Sequence, residues 1–126
     1  MNVKYNVVER ANPSNRAAPK KFYPSIVSSG RMTVRELAAE AANASTLNSA
    51  DLAAALEIFL SIIPKELAKG HIVELGDFGS FWLKSTAEGS DTAEEVRATQ
   101  INGVLPRFNA GKEFKKVLDS IQFEKA

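Results

Sequence analysis

The spacing of apolar residues predicts two extended segments at the start of the chain. Residues 3–10 alternate in polarity, and this period of two is typical of a half-buried strand. Residues 20–27 form a second extended run, in which Pro24 restricts the strand to a sheet edge or a bulge. Because residues 11–19 are rich in turn formers, the sequence predicts a long, basic β-hairpin.

Two helices are predicted after the hairpin. Thr33 precedes Glu36 by three residues, the spacing of a capping box, which predicts a first helix over residues 34–43. Asn48 and Asp51 repeat this spacing at the start of a second helix. The apolar residues of the second helix follow helical spacing: Leu52, Leu56, Phe59, Ile63 and Leu67.

The middle of the second helix is apolar on every side, since five of the six residues 58–63 are apolar. Such a helix has to be covered all round, and a chain this short has too few other helices to cover it. We therefore expect a partner subunit at this level. Pro64 lacks an amide hydrogen and its ring collides with the Leu60 carbonyl, so we also expect a kink or break near Ile63.

The second half of the chain predicts a sheet and a terminal helix. The run "HIVELGDFGSFWLK" is strand-like, the polar segment 85–103 forms an arm or long hairpin, and "VLPRF" returns to the sheet. The last apolar residues recur at helical spacing and predict a short C-terminal helix: Phe114, Val117, Leu118 and Ile121.

The composition fits one globular domain, with 44% hydrophobic and 25% charged residues in 126. No run approaches the ~18 apolar residues of a membrane helix, and the first ten residues lack the apolar core of a secretion signal. The absence of cysteine excludes disulfides, thiolate catalysis and cysteine-ligated zinc. We expect a cytoplasmic protein that does not associate with membranes.

No group of residues predicts catalysis or a cofactor. The only histidine, His71, directly follows the helix-ending Gly70, a position where histidine is usually solvated or hydrogen-bonded to backbone. The four carboxylates of residues 85–103 have a spacing that fits no calcium loop. We expect neither an enzyme, nor a metal or cofactor, nor a small-molecule substrate.

Charge is unevenly distributed, although the net charge is only +1. Residues 1–32 carry six basic residues and one acid, and residues 105–126 carry five basic residues and three acids. Residues 33–84 and 85–104 are each net acidic. A site for a polyanion is therefore expected on the first and last segments.

Two short motifs carry a resemblance to a known family. The stretch "DFGSF" is similar to the motif G-F-G-[ST]-F, and "FNAGKEFK" matches F-x-x-G-K-x-[LF]-K. The residues that carry the match are Gly79, Phe81, Phe108, Gly111, Lys112, Phe114 and Lys115. Together they resemble the HU/IHF family of bacterial histone-like DNA-binding proteins over about residues 32–119. With its N-terminal extension and weakly basic arm, the chain is similar to HU-like proteins of Bacteroides-type bacteria.

The resemblance implies an α+β fold. It consists of two N-terminal helices, an antiparallel sheet with an extended arm, and a short C-terminal helix, assembled as an intertwined homodimer. The extra N-terminal β-hairpin is added to this fold. Together with the apolar helix, the resemblance places the dimer interface at Ile58, Phe59, Ile62, Ile63, Phe78 and Phe81.

The same resemblance implies a binding surface for duplex DNA. In the family, the positions of Lys112 and Lys115 contact phosphates. The candidate DNA-binding residues are Arg107, Lys112, Lys115, Lys116, Lys20, Lys21 and Arg97. Backbone contacts of this kind carry no base-specific readout.

The arm and the N-terminal extension depart from the family pattern. Family members that bend DNA extend basic arms with a proline at the tip, whereas residues 85–103 lack proline and carry four acids against Arg97 alone. The basic extension could replace the missing arm charge, with Phe22 and Tyr23 as aromatic surface. In the alternative interpretation, the extension pairs with a sheet edge and covers it, and its lysines are solvated and bind nothing. A basic hairpin favours this interpretation over DNA binding.

The sequence therefore predicts a basic β-hairpin extension at residues 1–31 and an HU/IHF-like DNA-binding domain at residues 32–126, with its arm at residues 85–103. The predicted function is sequence-nonspecific binding of duplex DNA by a nucleoid protein. The alternative is a dimeric scaffold or protein-interaction module that kept the fold and lost DNA bending, with the acidic arm gripping a basic protein.

Overall fold

The structure, a computed structural model, describes residues 1–126 and is a mixed α+β fold, as predicted. The three helices are α1 (Val34–Asn43), α2 (Ser49–Ala68) and α3 (Lys112–Leu118). The six strands are β1 (Asn2–Arg10), β2 (Lys21–Val27), β3 (Val73–Glu74), β4 (Gly79–Ala87), β5 (Ile101–Ala110) and β6 (Gln122–Lys125). Single 3-10 turns occur at Gly76–Phe78, Ala93–Glu95 and Ala98–Gln100.

The chain divides into two compact units. The terminal unit consists of Met1–Thr33 and Val117–Ala126, and the central unit consists of Val34–Lys116. The C-terminal segment thus groups with the N-terminal hairpin. The division into functional domains at residue 31 stays a prediction.

The terminal unit contains the predicted hairpin. β1 and β2 are antiparallel, from Lys4 opposite Val27 to Arg10 opposite Lys21. The sheet order is β2-β1-β6, so β2 lies at an edge, the position in a sheet that tolerates Pro24.

Strand β6 was not expected from the sequence. It pairs parallel with β1, and the Gln122 N–H donates to the Met1 carbonyl at 2.9 Å. Helix α3 ends at Leu118, so the prediction that Ile121 is helical is wrong. The helical spacing of the last apolar residues extends to Ile121, whereas the helix ends at Leu118 and pairing with β1 begins at Gln122.

The central unit packs α1 against α2 and contains an antiparallel sheet of order β3-β4-β5. β4 and β5 pair from Gly79 opposite Ala110 to Ala87 opposite Ile101, with a register shift at the far end. The predicted arm is therefore paired only at its base. Residues 88–100 form a loop with two 3-10 turns instead of an extended β-arm.

Helix α2 begins as its sequence predicts. The Asn48 Oδ1 accepts the Asp51 N–H at 2.8 Å, and the Asn48 Nδ2 donates to the Asp51 carboxylate at 2.9 Å. The helix then runs to Ala68 through Pro64, so it is not broken there, and the kink expected near Ile63 stays a prediction. Pro64 and Leu60 lie on an exposed part of the helix, where water can solvate the Leu60 carbonyl that lacks an amide partner.

Replacing Asn48 with alanine is expected to destabilise the protein by about 1 kcal/mol, because the Asp51 N–H at the start of α2 loses its capping acceptor. Urea unfolding followed by circular dichroism measures this difference. The control is Asn43→Ala at the end of α1, for which no capping bond is assigned. An equal loss for both variants would show that the Asn48 cap contributes nothing specific.

The C-terminal end of α2 carries a small charged cluster. Lys69 Nζ donates to Glu66 Oε1 at 3.0 Å, and His71 Nδ1 lies 2.8 Å from Glu66 Oε2. These hydrogen bonds, Lys69 first and His71 second, hold the pKa of the Glu66 carboxyl below its usual value. The side chains are open to water, so the cluster is a local feature of the helix end.

Very little apolar surface is buried within the single chain. Ala38 (2% exposed) and Leu67 (6% exposed) are the buried hydrophobic residues. Many large apolar side chains are exposed, among them Phe22, Ile26, Phe59 and Phe123. One copy of the chain therefore leaves a large part of its apolar surface in contact with water.

Candidate nucleic-acid interface

Two glycines join the two sequence motifs of the central unit. Gly79 has a φ of 144°, and a Cβ atom there would overlap the Asn109 carbonyl and lie 2.8 Å from the Phe108 ring. A Cβ atom on Gly111 would overlap the Asp77 carbonyl and lie 2.9 Å from the Gly79 nitrogen. The Gly111 N–H donates to the Phe78 carbonyl at 2.8 Å. The two backbones therefore approach as closely as only glycine permits.

Four phenylalanines from the same motifs form one aromatic cluster. Phe108 lies at its centre, with ring centroids 5.4 Å from Phe78, 4.8 Å from Phe81 and 5.4 Å from Phe114. Phe78 and Phe114 meet edge to face at 5.2 Å. These distances are typical of favourable aromatic packing. The cluster fixes α3 against the sheet through Phe114.

Helix α3 presents the basic residues of the second motif to solvent. Phe114 is half-buried in the aromatic cluster, whereas Lys112, Lys115 and Lys116 are exposed. The start of the helix is held by Gly111, whose carbonyl accepts the Lys115 N–H at 3.0 Å. Three predicted DNA-binding lysines thus lie together on one anchored helix of the central unit.

The sheet supplies further basic residues next to Arg107. Arg107 on β5 is directly opposite Trp82 on β4, so the two side chains share one face of the sheet. Lys84 is two residues further along β4 and lies on this face as well, and both basic residues are exposed. Sequence reasoning missed Trp82 and Lys84, although the alternation in "SFWLK" separates them from Phe81 and Leu83.

Trp82 is unusual on this face because its indole Nε1 is buried and has no hydrogen-bond partner within the chain. Buried donors are nearly always paired in folded proteins. The indole lies beside a cavity of about 440 Å³ at the end of α2, lined also by His71, Ser80 and Asn109.

The acidic loop between β4 and β5 uses Arg97 for its own structure. The Arg97 Nη1 donates to the carbonyls of Glu94 (2.6 Å) and Val96 (3.0 Å). Gln100 accepts the Arg97 N–H and donates to the Ser90 hydroxyl, each at 2.5 Å. Arg97 is therefore engaged in closing the loop, and its contact with DNA stays a prediction.

Lys20 and Lys21 lie in the terminal unit and are exposed. Lys21 is directly opposite Arg10 across the hairpin, so two like charges share one face at the end of the sheet. Lys4 lies on this face of β1 too, six residues before Arg10. The hairpin charge is thus concentrated on one side of the three-stranded sheet.

The residues predicted for the dimer interface differ in exposure. Ile58 (58%), Phe59 (62%) and Ile62 (42%) are exposed, and Ile63 is half-buried. Phe78 and Phe81 belong to the aromatic cluster. The α2 residues are therefore apolar surface that the chain does not cover itself.

The arrangement of the two glycine-phenylalanine motifs agrees with what comparison with known proteins finds. Residues 1–125 match HU-HIG, a family described as an HU domain fused to wHTH, Ig, or glycine-rich motif. The chain belongs to the HU-HIG family. For this HU-HIG protein the match includes the N-terminal hairpin and β6, which lie outside the segment that resembles compact HU proteins.

Curated relatives of this HU-HIG protein include shorter HU proteins. DNA-binding protein HU of Streptococcus mutans is 34% identical over 85 residues, which cover 64% of this chain and 91% of the relative. DNA-binding protein HRL18 of Rhizobium leguminosarum is 31% identical over 93 residues, which cover 71% of this chain and the whole relative. The predicted family is therefore confirmed.

One solved structure shares the fold of nearly the whole chain. It is a Bacteroides vulgatus protein, provisionally described as a bacterial DNA-binding protein, with a TM-score of 0.68 and 10% identity. The likeness covers 98% of this chain, and this chain spans about half (47%) of that one. The N-terminal hairpin thus recurs in a solved fold. None of the helices here is long and apolar enough to cross a membrane.

Proposed function

We propose that this protein is a homodimeric, histone-like protein that binds duplex DNA through backbone phosphates, in the nucleoid of the cytoplasm. The observation that carries the proposal is membership of an HU family over residues 1–125, with relatives named as DNA-binding proteins. The proposed role is architectural, and no residue has a catalytic part in it.

The dimer is proposed from the uncovered apolar surface of α2. Ile58 and Ile62 are one helical turn apart, so their side chains form one stripe, which Phe59 widens. A stripe of this kind in water is unfavourable by about 25 cal/mol per Å² of apolar area. An identical α2 of a second copy supplies a matching stripe, as in the symmetric interfaces of most homodimers.

The DNA contacts are proposed on the central unit. Lys112, Lys115 and Lys116 on α3 are free of ion pairs to acids, and Arg107 and Lys84 share one sheet face. Each lysine or arginine that neutralises a phosphate releases counterions from the duplex, and this release drives nonspecific binding. The acidic loop repels phosphates. The proposed mechanism therefore includes neither bending of the DNA nor insertion of this loop into it.

A duplex titration at several salt concentrations tests this function. Wild-type affinity is expected to fall linearly on logarithmic axes as salt rises from about 50 to 200 mM. Replacing Lys112 and Lys115 with alanine is expected to flatten the slope by about 2, since each lost phosphate contact contributes about 1.

The charge-matched control is the double variant Arg31→Ala, Arg35→Ala, which removes two exposed cations just before and within α1. It is expected to keep the wild-type slope within about 0.5, because neither residue belongs to the proposed surface. No binding of the wild type at ~50 mM salt would contradict DNA binding and would favour the scaffold function. Equal slopes for both double variants would instead contradict the role of α3.

A further inference from the structure

The sheet of the terminal unit has two chemically different faces. On β1, Tyr5 and Val7 point to one face, and register places Ile26, Pro24 and Phe22 of β2 and Phe123 of β6 beside them. We call these six residues the apolar sheet face. They line a shallow cavity of about 600 Å³. The opposite face carries the cations Lys4, Arg10 and Lys21.

The apolar sheet face is uncovered in one copy of the chain. Phe22 and Ile26 are each 68% exposed, Phe123 is 59% exposed and Val7 is 49% exposed. Together these side chains expose on the order of 450 Å² of mostly apolar area. This area lies within the range of about 300–600 Å² that the largest apolar patch on a typical monomer covers, and such a patch is often functional.

We propose that the apolar sheet face binds the same face of a second copy of this chain, so that two three-stranded sheets pack as a sandwich. Sheets pack face to face about 10 Å apart and exclude water between their apolar side chains. The proposal goes beyond DNA binding and is independent of the α2 interface.

The charges at the ends of this face favour a second copy as the occupant. Glu9 lies on the same side of β1 as Tyr5 and Val7, near the hairpin loop. Lys125 is the register partner of Tyr5 and lies on this side, four residues along β1 from the level of Glu9. A two-fold axis in the interface, perpendicular to the strands, reverses one sheet. It therefore brings Glu9 of each copy toward Lys125 of the other.

The other face of the sheet agrees with this orientation. The sandwich buries the side without the hairpin cations and leaves Lys4, Arg10 and Lys21 on its two outer surfaces. Burying these cations against a second copy would bring like charges together without water. The doubled unit thus presents two separate cationic faces.

The area predicts weak association. About 450 Å² from each copy gives roughly 900 Å² in total, near the lower limit of specific interfaces. Association through this face alone is therefore expected to be weak and to rise with protein concentration. It adds to the α2 contact, so α2 dimers are expected to join into larger species as concentration rises.

Crosslinking of single-cysteine variants tests the orientation. The chain has no native cysteine, so Glu9→Cys and Lys125→Cys each introduce one unique thiol. A bis-maleimide that spans about 10 Å, the distance between packed sheets, is expected to join the two variants when they are mixed. Glu9→Cys alone and Lys125→Cys alone are expected to give at least fivefold less crosslinked product.

The control for random collision is Arg16→Cys in the exposed hairpin loop, mixed with Lys125→Cys. Equal yields from this mixture and from the Glu9→Cys mixture would overturn the proposal. Efficient crosslinking of Glu9→Cys with itself would also overturn it, because the sheets would then run in the other orientation.

Sedimentation of full-length variants tests the apolar contact. The double variant Phe22→Ser, Ile26→Ser is expected to lose the species larger than a dimer and keep the α2 dimer. Because serine at these exposed positions removes little intramolecular packing, circular dichroism is expected to stay unchanged. Charge reversal gives a second readout: Glu9→Lys weakens the larger species, and adding Lys125→Glu restores them. Unchanged assembly in every variant would exclude a second copy and leave the face to a different partner.

Discussion

Replacing Ile58 and Ile62 with serine is expected to raise the dimer dissociation constant about 10²–10⁴-fold. Burying one isoleucine contributes about 1.5–3 kcal/mol, and each dimer contains four of these side chains. Since they are 58% and 42% exposed in the single chain, about half of this burial takes place at the interface. The expected loss is therefore about 3–6 kcal/mol for each dimer.

Sedimentation equilibrium over a range of protein concentrations measures this effect. The control variant is Glu40→Ser, Glu57→Ser, which places two serines on exposed positions of α1 and α2 away from the stripe and removes no apolar side chain. Its dissociation constant is expected to stay within about threefold of the wild type. A folded wild-type monomer that persists at micromolar concentration would show that α2 is not the interface.

The Ile58→Ser, Ile62→Ser variant is expected to unfold at a lower temperature than the wild type, and its unfolding midpoint is expected to depend on protein concentration. Subunit binding stabilises the folded state by mass action, so weaker binding leaves less stabilisation at a given concentration. The central unit buries few hydrophobic side chains by itself, with Ala38 and Leu67 as its buried members. The folded monomer is thus expected to be marginal, and unfolding and dissociation to coincide.

Helix boundaries could be predicted from the sequence because their signals are local. The capping residue Asn48 forms the expected hydrogen bond, and α1 has the predicted bounds. Pro64 does not break α2, because one lost hydrogen bond on an exposed face is tolerated, and the expected kink stays a prediction. Helix propensity gives the free-energy cost of placing a residue such as proline inside a helix. The tertiary surroundings of that residue decide whether the helix ends there.

Strand β6 could not be predicted because its partner is distant in sequence. Val3 pairs with Phe123, and no local pattern near the C-terminus encodes this parallel contact. The apolar spacing from Phe114 to Ile121 fits a helix, and the sequence alone offered no reason to end it at Leu118. The composition of the two faces of the terminal sheet depends on this register, so the sequence alone could not predict it either.

The candidate site could be predicted in part. The motif around Lys112 indicated α3, and family membership supports that resemblance. The alternation of polar and apolar residues in "SFWLK" is enough to place Trp82 and Lys84 on one face of β4. The motif "DFGSF" contains neither residue, and its phenylalanine Phe81 lies on the opposite face. The local engagement of Arg97 depends on loop carbonyls whose positions no sequence pattern specifies.

Replacing Gly79 with alanine is expected to destabilise the protein by about 2–5 kcal/mol. The new Cβ would overlap the Asn109 carbonyl on the paired strand, and overpacking of this kind costs about 1–3 kcal/mol. A φ of 144° is a further strain of about 1–2 kcal/mol for any residue with a side chain. Gly111→Ala carries only the first cost, against the Asp77 carbonyl, so a loss of about 1–3 kcal/mol is expected there.

Gly89→Ala is the matched control, because no atom lies within 4 Å of its added Cβ and its φ is not positive. It is expected to be neutral or to stabilise by up to about 1 kcal/mol, through lower entropy of the unfolded chain. Urea unfolding at one fixed protein concentration measures all three variants. If Gly79→Ala matched Gly89→Ala, the close backbone contact between the motifs would be wrong. Because that contact anchors α3, the Gly79 and Gly111 variants are also expected to weaken duplex binding, although neither glycine carries a charge.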